Sequence, residues 1–189
     1  MATQLQTEHG IVRVPTGTWN VDPAHSSVQF EVKHMMIATV HGRFKEFEGT
    51  IEAAEDINDS RVYGKVKVAS IDTNDKTRDA HLRSADFLDV EKYAEITFES
   101  THIEPLGGPE FRMTGDLTIK GVTRPVELDS TVEGAELDPW GNERVGIRVR
   151  GQIDRKDFDL KWQKVLESGR FLVGDEVKIL VDVSAVKAT

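Results

Sequence analysis

From Trp19 to Val183 the apolar residues of this chain recur with a period of two. Val28, Phe30 and Val32 share one parity, and Gln29, Glu31 and Lys33 occupy the other. Val62, Gly64, Val66 and Val68 repeat the pattern, as do Phe111, Met113, Gly115, Leu117 and Ile119. Val145, Ile147, Val149, Gly151 and Ile153 follow, and Val177, Ile179, Val181 and Val183 close the series. Strands with one apolar and one wet face form antiparallel sheets. Many such strands with little helix between them read as a sandwich or a barrel. A barrel bears on function because its interior can hold a ligand.

The spacing predicts strands over 18–21 and 25–33, separated by the Asp22-Pro23 break, and one long strand over 40–54. In that long strand Val40, Gly42 and Phe44 have one parity, whereas Phe47, Gly49 and Ile51 have the other. A β-bulge near Lys45-Glu46 would return both sets to the inside. Residues 35–39 are apolar without alternation and read as a helical turn or a crossing segment. Further strands are expected over 61–70, 95–104 (ending at Pro105), 111–120, 122–133, 144–154 and 176–186, roughly eight in all. Two segments interrupt the pattern. Residues 73–84 lack alternation and are rich in charge. They predict a short surface helix capped by Thr73 or Asn74, with an Asp79–Arg83 pair. Residues 155–174 contain a helix turn that Gly169 would stop. Residues 1–16 form a polar extension, read as a loose tail or as a short segment packed through Ile11, Val12 and Val14. The barrel domain then spans 17–189. Glycines within strands serve either sharp bends or close approach.

Composition narrows the field. A 189-residue chain builds one domain with a sizeable core. Its net charge of −9 and interleaved basic residues argue against nucleic acid as a partner. The chain contains no cysteine, which removes disulfides and thiolate catalysis and suits a reducing compartment. The N-terminal residues lack the pattern of a secretory signal, and no stretch approaches transmembrane length. A cytoplasmic protein without stable membrane insertion is expected.

No phosphate loop, nucleophile elbow or zinc helix is present. The histidines have no local metal-ligand spacing, so neither a metal nor a cofactor is expected. Asp22, His25 and Ser26 supply the residue types of a hydrolytic triad, but their adjacency around a turn proline favours turn hydrogen bonds. The inward aromatics are core, or else the wall of a cavity if the barrel is underfilled. Met35, Met36 and Ile37 form an apolar cluster suited to a lid, an entrance or a dimer contact.

The chain resembles the YceI-like family of lipocalin-like, polyisoprenoid-binding proteins. The resemblance rests on Trp19-x-x-Asp22-Pro23-x-His25-Ser26, Phe30-x-Val32-x-His34 and Val40-x-Gly42-x-Phe44-x-x-Phe47-x-Gly49. It continues through Ile71-Asp72-Thr73, Arg78-Asp79-x-His81-Leu82, Asp86-Phe87, Asp89-Val90 and Glu95-Ile96-Thr97-Phe98-x-Ser100. It closes with Gly115-x-Leu117-Thr118-Ile119-x-Gly121-Val122-Thr123, Pro125-Val126, Ile153-Asp154-Arg155-x-Asp157-Phe158 and Val173-Gly174-Asp175-Glu176-Val177. Ala94, where the family often has proline, is a departure, and so is a polar extension in place of a signal peptide. The resemblance implies an all-β fold, an eight-stranded antiparallel lipocalin-like barrel with short helical insertions. It also implies a long internal pore for an isoprenoid chain, and a homodimer.

On this basis the expected cavity wall is Phe30, Val32, Phe44, Phe47, Phe98, Phe111, Met113, Leu117, Ile147, Phe158 and Trp162. The expected polar end is His25, Arg78, His81 and Arg155. The expected function is non-enzymatic binding, transport or storage of an isoprenoid lipid or isoprenoid quinone. The alternatives are a hydrolase or isomerase acting on a lipid-like substrate, and a structural or stress-associated dimer with a packed barrel.

Overall fold

The computed structural model describes residues 4–189. In chain order the strands are β1 (Gln6–Glu8), β2 (Ile11–Arg13), β3 (Gly17–Val21), β4 (Ser27–His34), β5 (Ala38–Phe44), β6 (Phe47–Ala53), β7 (Arg61–Lys67) and β8 (Ile71–Asp72). Helix α1 (Lys76–Arg83) comes next, then β9 (Glu95–Gly107), β10 (Glu110–Ile119), β11 (Val122–Leu137), β12 (Glu143–Asp154) and β13 (Val173–Lys187).

Eight strands close a ring in the order β3-β6-β7-β9-β10-β11-β12-β13, with β13 pairing back to β3. All of these pairings are antiparallel. Strands β4, β5 and β8 prolong the barrel on one side. The long β13 carries β3 at Ala185–Lys187 and β4 along Val177–Asp182, so β3 and β4 are one stave broken at Asp22-Pro23. Likewise β5 and β6 are one stave broken at Lys45-Glu46. That break reverses the parity as the alternation requires, and Phe44 and Phe47 both face inward. Among the described residues β8 has no partner on the β9 side. Helix α1 and the segment carrying Phe87, Leu88 and Val90 fill that gap and pack on Leu117 and Ile119 of β10.

The core divides by height. One end is filled by Val68, Ile71, Phe87, Leu88, Leu117, Ile119, Phe158 and Leu160. The other is filled around Trp19, Phe111, Val132, Val145 and Ala185. Between them the fully buried apolar set shrinks to Met113, Leu128 and Val149.

Of the 1–16 extension, residues 1–3 lie outside the described residues, 6–10 are exposed, and 11–15 pack at the Trp19 end. Strand β2 docks on the β9–β10 turn, where Val12 N–H donates to Gly108 O at 2.8 Å and Gly108 N–H donates to Gly10 O at 2.8 Å. Arg13 reaches into the barrel end, where its guanidinium donates to the carbonyls of Glu55 and Ala54. Trp19 Nε1 donates to Pro15 O at 2.9 Å.

Several local expectations are corrected. Residues 35–39 are neither helix nor crossing segment; Met35–Ile37 form a three-residue hairpin loop between His34 and Ala38, with Met35 and Met36 at positive φ. The cap of α1 is Asp75, whose carboxylate accepts from Arg78 N–H at 3.0 Å, while Asn74 is left-handed at φ 65°. Asp79 does not pair with Arg83. It is buried and accepts from the Thr73 N–H at 2.9 Å and the Thr73 hydroxyl at 2.6 Å. Strand β9 runs through Pro105, because β7 ends opposite Glu99 and leaves the later half of β9 an edge, where proline is tolerated. The turn after β12 is a 3-10 helix, Arg155–Phe158, ended by left-handed Asp159 rather than by Gly169. Gly169, with φ 83°, instead turns the tip of a small hairpin closed by the Val165–Phe171 bridge.

Candidate functional site

An eight-stranded barrel is either filled by its own side chains or wide enough for one small ligand. This one encloses a cavity of about 540 Å³ along the barrel axis, so the packed-barrel alternative does not hold. Of the expected wall residues, Phe30, Val32, Phe44, Phe47, Phe98, Phe111, Met113, Leu117, Ile147 and Trp162 line it. Phe158 does not. It is 1% exposed and stacks into the end core with Val68 and Leu160, because the 3-10 turn carries it outside the strand alternation. Trp140 sits 80% exposed in the β11–β12 turn.

The expected polar end separates into four different situations. His25 lies outside the cavity, on the surface turn after β3, with Nδ1 2.8 Å from Asp22 Oδ2. Ser26 does not complete a triad, since its hydroxyl donates to Ser184 O at 3.2 Å and accepts from Ser184 N–H at 2.9 Å. Arg144 bridges Asp22 and Asp138, at 2.8 Å to each carboxylate. The Arg144 hydrogen bond, helped by His25, holds the Asp22 carboxyl down at about 2. At Asp138 burial pushes the pKa up, but hydrogen bonds from Arg144, Asn142 and Trp140 overcome it and leave the group well below the usual range. This cluster clamps the broken β3–β4 stave to β12 and β13.

Arg155 lines the cavity but is 3% exposed. Its guanidinium donates to Gly174 O at 2.9 Å, Leu160 O at 2.5 Å and Trp162 O at 2.9 Å. It organises the loop between β12 and β13. Burial lowers its pKa from the ordinary arginine value, opposed by the charges of Asp175 and Asp154. Arg78 also lines the cavity and is engaged, donating to the hydroxyl and the carbonyl of Thr73 at 2.7 Å each.

His81 differs from both arginines. Its ring meets Phe87 edge-on at 5.1 Å and Trp162 at 4.8 Å. Nε2 lies 2.8 Å from Asp86 Oδ2, and Nδ1 has no hydrogen-bond partner among the described residues. Phe87, which the sequence places in the Asp86-Phe87 stretch but not in the expected wall, completes this aromatic corner. Only its position five residues after the Asp-x-His-Leu stretch hinted at it. No set of three or more His, Cys, Asp or Glu side chains is grouped to hold a metal among the described residues. Among the described residues no helix is long and apolar enough to cross a membrane.

The YceI-like domain pattern matches residues 19–185. The chain belongs to the YceI-like family. A UPF0312 protein of Vibrio parahaemolyticus is 41% identical over 138 residues, covering 72% of this chain and 73% of that protein. Protein YceI of Escherichia coli O157:H7 is 41% identical over 143 residues, covering 72% of each. Among solved structures, BcnA of Burkholderia cenocepacia superposes with a TM-score of 0.76 at 28% identity, covering 89% of this chain and 99% of that one. A polyisoprenoid binding domain from Saccharophagus degradans shares the fold, with a TM-score of 0.67 at 14% identity over 90% of this chain and 98% of that one. Arg13 lies outside the matched residues.

Proposed function

We propose that this YceI-like protein is a non-enzymatic carrier of an isoprenoid lipid or isoprenoid quinone, with the prenyl tail held in the barrel. The observation that carries the reading is the cavity itself, about 540 Å³ and walled almost wholly by aliphatic and aromatic side chains. Burying a branched hydrocarbon there gains roughly 25 cal/mol per Å² removed from water and needs no charged partner. The polyisoprenoid binding named for the Saccharophagus degradans domain supports the same ligand class.

The headgroup follows from what is free near α1. A diphosphate would need arginine forks, yet Arg78 and Arg155 are both engaged with protein oxygens. His81 donates Nε2–H to the Asp86 carboxylate and keeps Nδ1 as an uncommitted acceptor beside Trp162 and Phe87, which suits the O–H of a prenyl alcohol or of the quinol form of an isoprenoid quinone. The test is organic extraction of the purified protein and mass spectrometry of the extract. A stoichiometric prenyl quinone or prenyl alcohol is expected. A blank extract, together with no uptake of added prenyl quinone from detergent, would overturn the reading.

A further inference from the structure

Two hairpin tips meet at one end of the barrel. The first is the β4–β5 turn, in which Ile37 N–H donates to His34 O at 3.2 Å across Met35 and Met36. The second is the hairpin closed by the Val165–Phe171 bridge. They are joined by the Met35 N–H to Leu172 O hydrogen bond of 2.8 Å. Together they expose Met36 at 51%, Ile37 at 67%, Val165 at 61% and Phe171 at 48%. Residues from the same two segments, His34, Val40, Trp162 and Leu172, line the cavity, so the exposed rim continues into its wall.

Two further observations say what the rim faces. Met35 and Met36 have φ 51° and 61°, the geometry of a turn that favours Asn-Gly. Apolar side chains therefore occupy positions where the backbone disfavours them, as expected of a feature kept for a surface role. The charge around the rim is also opposite to that of the molecule. Residues 33–39 and 159–173, which carry the two hairpin tips, have four Lys and Arg against two acids, in a chain of net charge −9. Lys164 and Arg170 have no carboxylate partner among the described residues, unlike Lys161, which pairs with Asp159 at 3.2 Å.

An apolar tip flanked by the unpaired cations Lys164 and Arg170 matches an anionic bilayer, whose acyl region takes the former and whose headgroups take the latter. We infer that this rim docks the protein on an anionic lipid surface, with the cavity mouth turned toward the membrane. The inference goes beyond the carrier reading and is separable from it.

The test is flotation with vesicles of phosphatidylcholine, with and without a minority of phosphatidylglycerol. The protein is expected to float with the anionic vesicles, to stay behind with neutral ones, and to be released by salt. Met35→Asn/Met36→Gly relaxes the turn while removing its apolar tip, so the fold is retained. Lys164→Glu/Arg170→Glu reverses the charge. Each pair is expected to weaken partitioning about tenfold, or ~1.4 kcal/mol, with prenyl-quinone uptake from detergent unchanged. Vesicle binding without quinone uptake would leave this inference standing and remove the carrier reading. No flotation of the unmodified protein, or undiminished flotation of Met35→Asn/Met36→Gly, would overturn it. So would a dimer, seen by sedimentation, that the turn variant splits while neither form binds vesicles. The rim would then belong to a second copy of the chain.

Discussion

Gly64 offers a direct way to fill the cavity without disturbing its wall. It lines the cavity from β7, between Gly49 of β6 and Phe98 of β9. A Cβ added there meets only Glu48 O, at 3.8 Å, an ordinary contact. Gly64→Leu thus projects four carbons into the lumen. Full burial at ~0.8 kcal/mol per carbon would give about 3 kcal/mol. Replacing a strand glycine adds roughly 0.5–1 kcal/mol, and ordering the leucine side chain removes a similar amount. A side chain standing in a cavity touches the wall on one side only, so a gain of about 1–2 kcal/mol is expected for the ligand-free protein. Gly42→Ala is the control of opposite sign. Its Cβ would lie 2.1 Å from Phe30 Cζ, so the ring must move, at a cost of about 1–3 kcal/mol. Urea denaturation of ligand-free protein reads both, as shifts in midpoint at constant slope. Prenyl-quinone uptake should fall at least about tenfold in Gly64→Leu, since the new side chain takes the ligand's space. If Gly64→Leu destabilises as much as Gly42→Ala, or binds ligand as the unmodified protein does, the lumen beside β7 is not the binding space.

Asp22 has a folded pKa of about 2 against an ordinary 3.8, so its ionised form is favoured by folding. That stability is present above pH 3.8 and is lost as pH falls toward 2. Discounted for solvent contact it is about 1 kcal/mol, and Asp22→Asn should remove both that amount and the corresponding part of the acid-unfolding slope. Arg155→Met would strand the carbonyls of Leu160, Trp162 and Gly174. A loss of about 3–5 kcal/mol in denaturant unfolding is expected, and Lys at the same position should not restore it, having no fork. Removing residues 1–16 should uncover Trp19, which is 0% exposed. In a Trp140→Phe background, acrylamide quenching should rise; unchanged quenching would show that the hairpin does not seal this end.

The staves of the barrel were legible because the alternation is nearly unbroken, and even the slip at Lys45-Glu46 announced itself as a change of parity. The ends of elements were less so. Met35-Met36 gives no turn signal, since apolar residues in a left-handed turn run against local preference. Pro105 reads as a stop only if both edges of its strand are paired, and pairing is a tertiary fact. Nine of the expected wall residues lie in strands and line the cavity because parity places them, and Trp162 lines it from the irregular segment after β12; Phe158 does not line it because it follows the last strand residue of β12 by four positions, inside a 3-10 turn. The polar residues were harder. His25, Arg78, His81 and Arg155 share a chemistry, but whether each is free depends on carbonyls and carboxylates brought in by the fold. Arg155 takes its acceptors from residues 160–174, a segment with no periodicity to place it.

Inward aromatics and an open lumen seem contradictory until their cross-strand neighbours are considered. Phe30 lies opposite Gly42, and its ring tip occupies the site where a Cβ would stand. Phe98 does the same over Gly115, with Cζ 2.4 Å from the absent Cβ, and Leu128 does so over Gly151, also at 2.4 Å. Each large side chain is laid along its neighbour's backbone rather than across the barrel. The glycine that appears to weaken a strand lets an adjacent ring become wall instead of filling. Trp19 and Phe158 are not among the atoms nearest any glycine in this way, and each is fully buried in one of the two end cores. The width of the lumen is therefore written in pairs of positions on neighbouring strands, a bulky residue beside a glycine, and the same composition with those pairings exchanged would give a filled barrel.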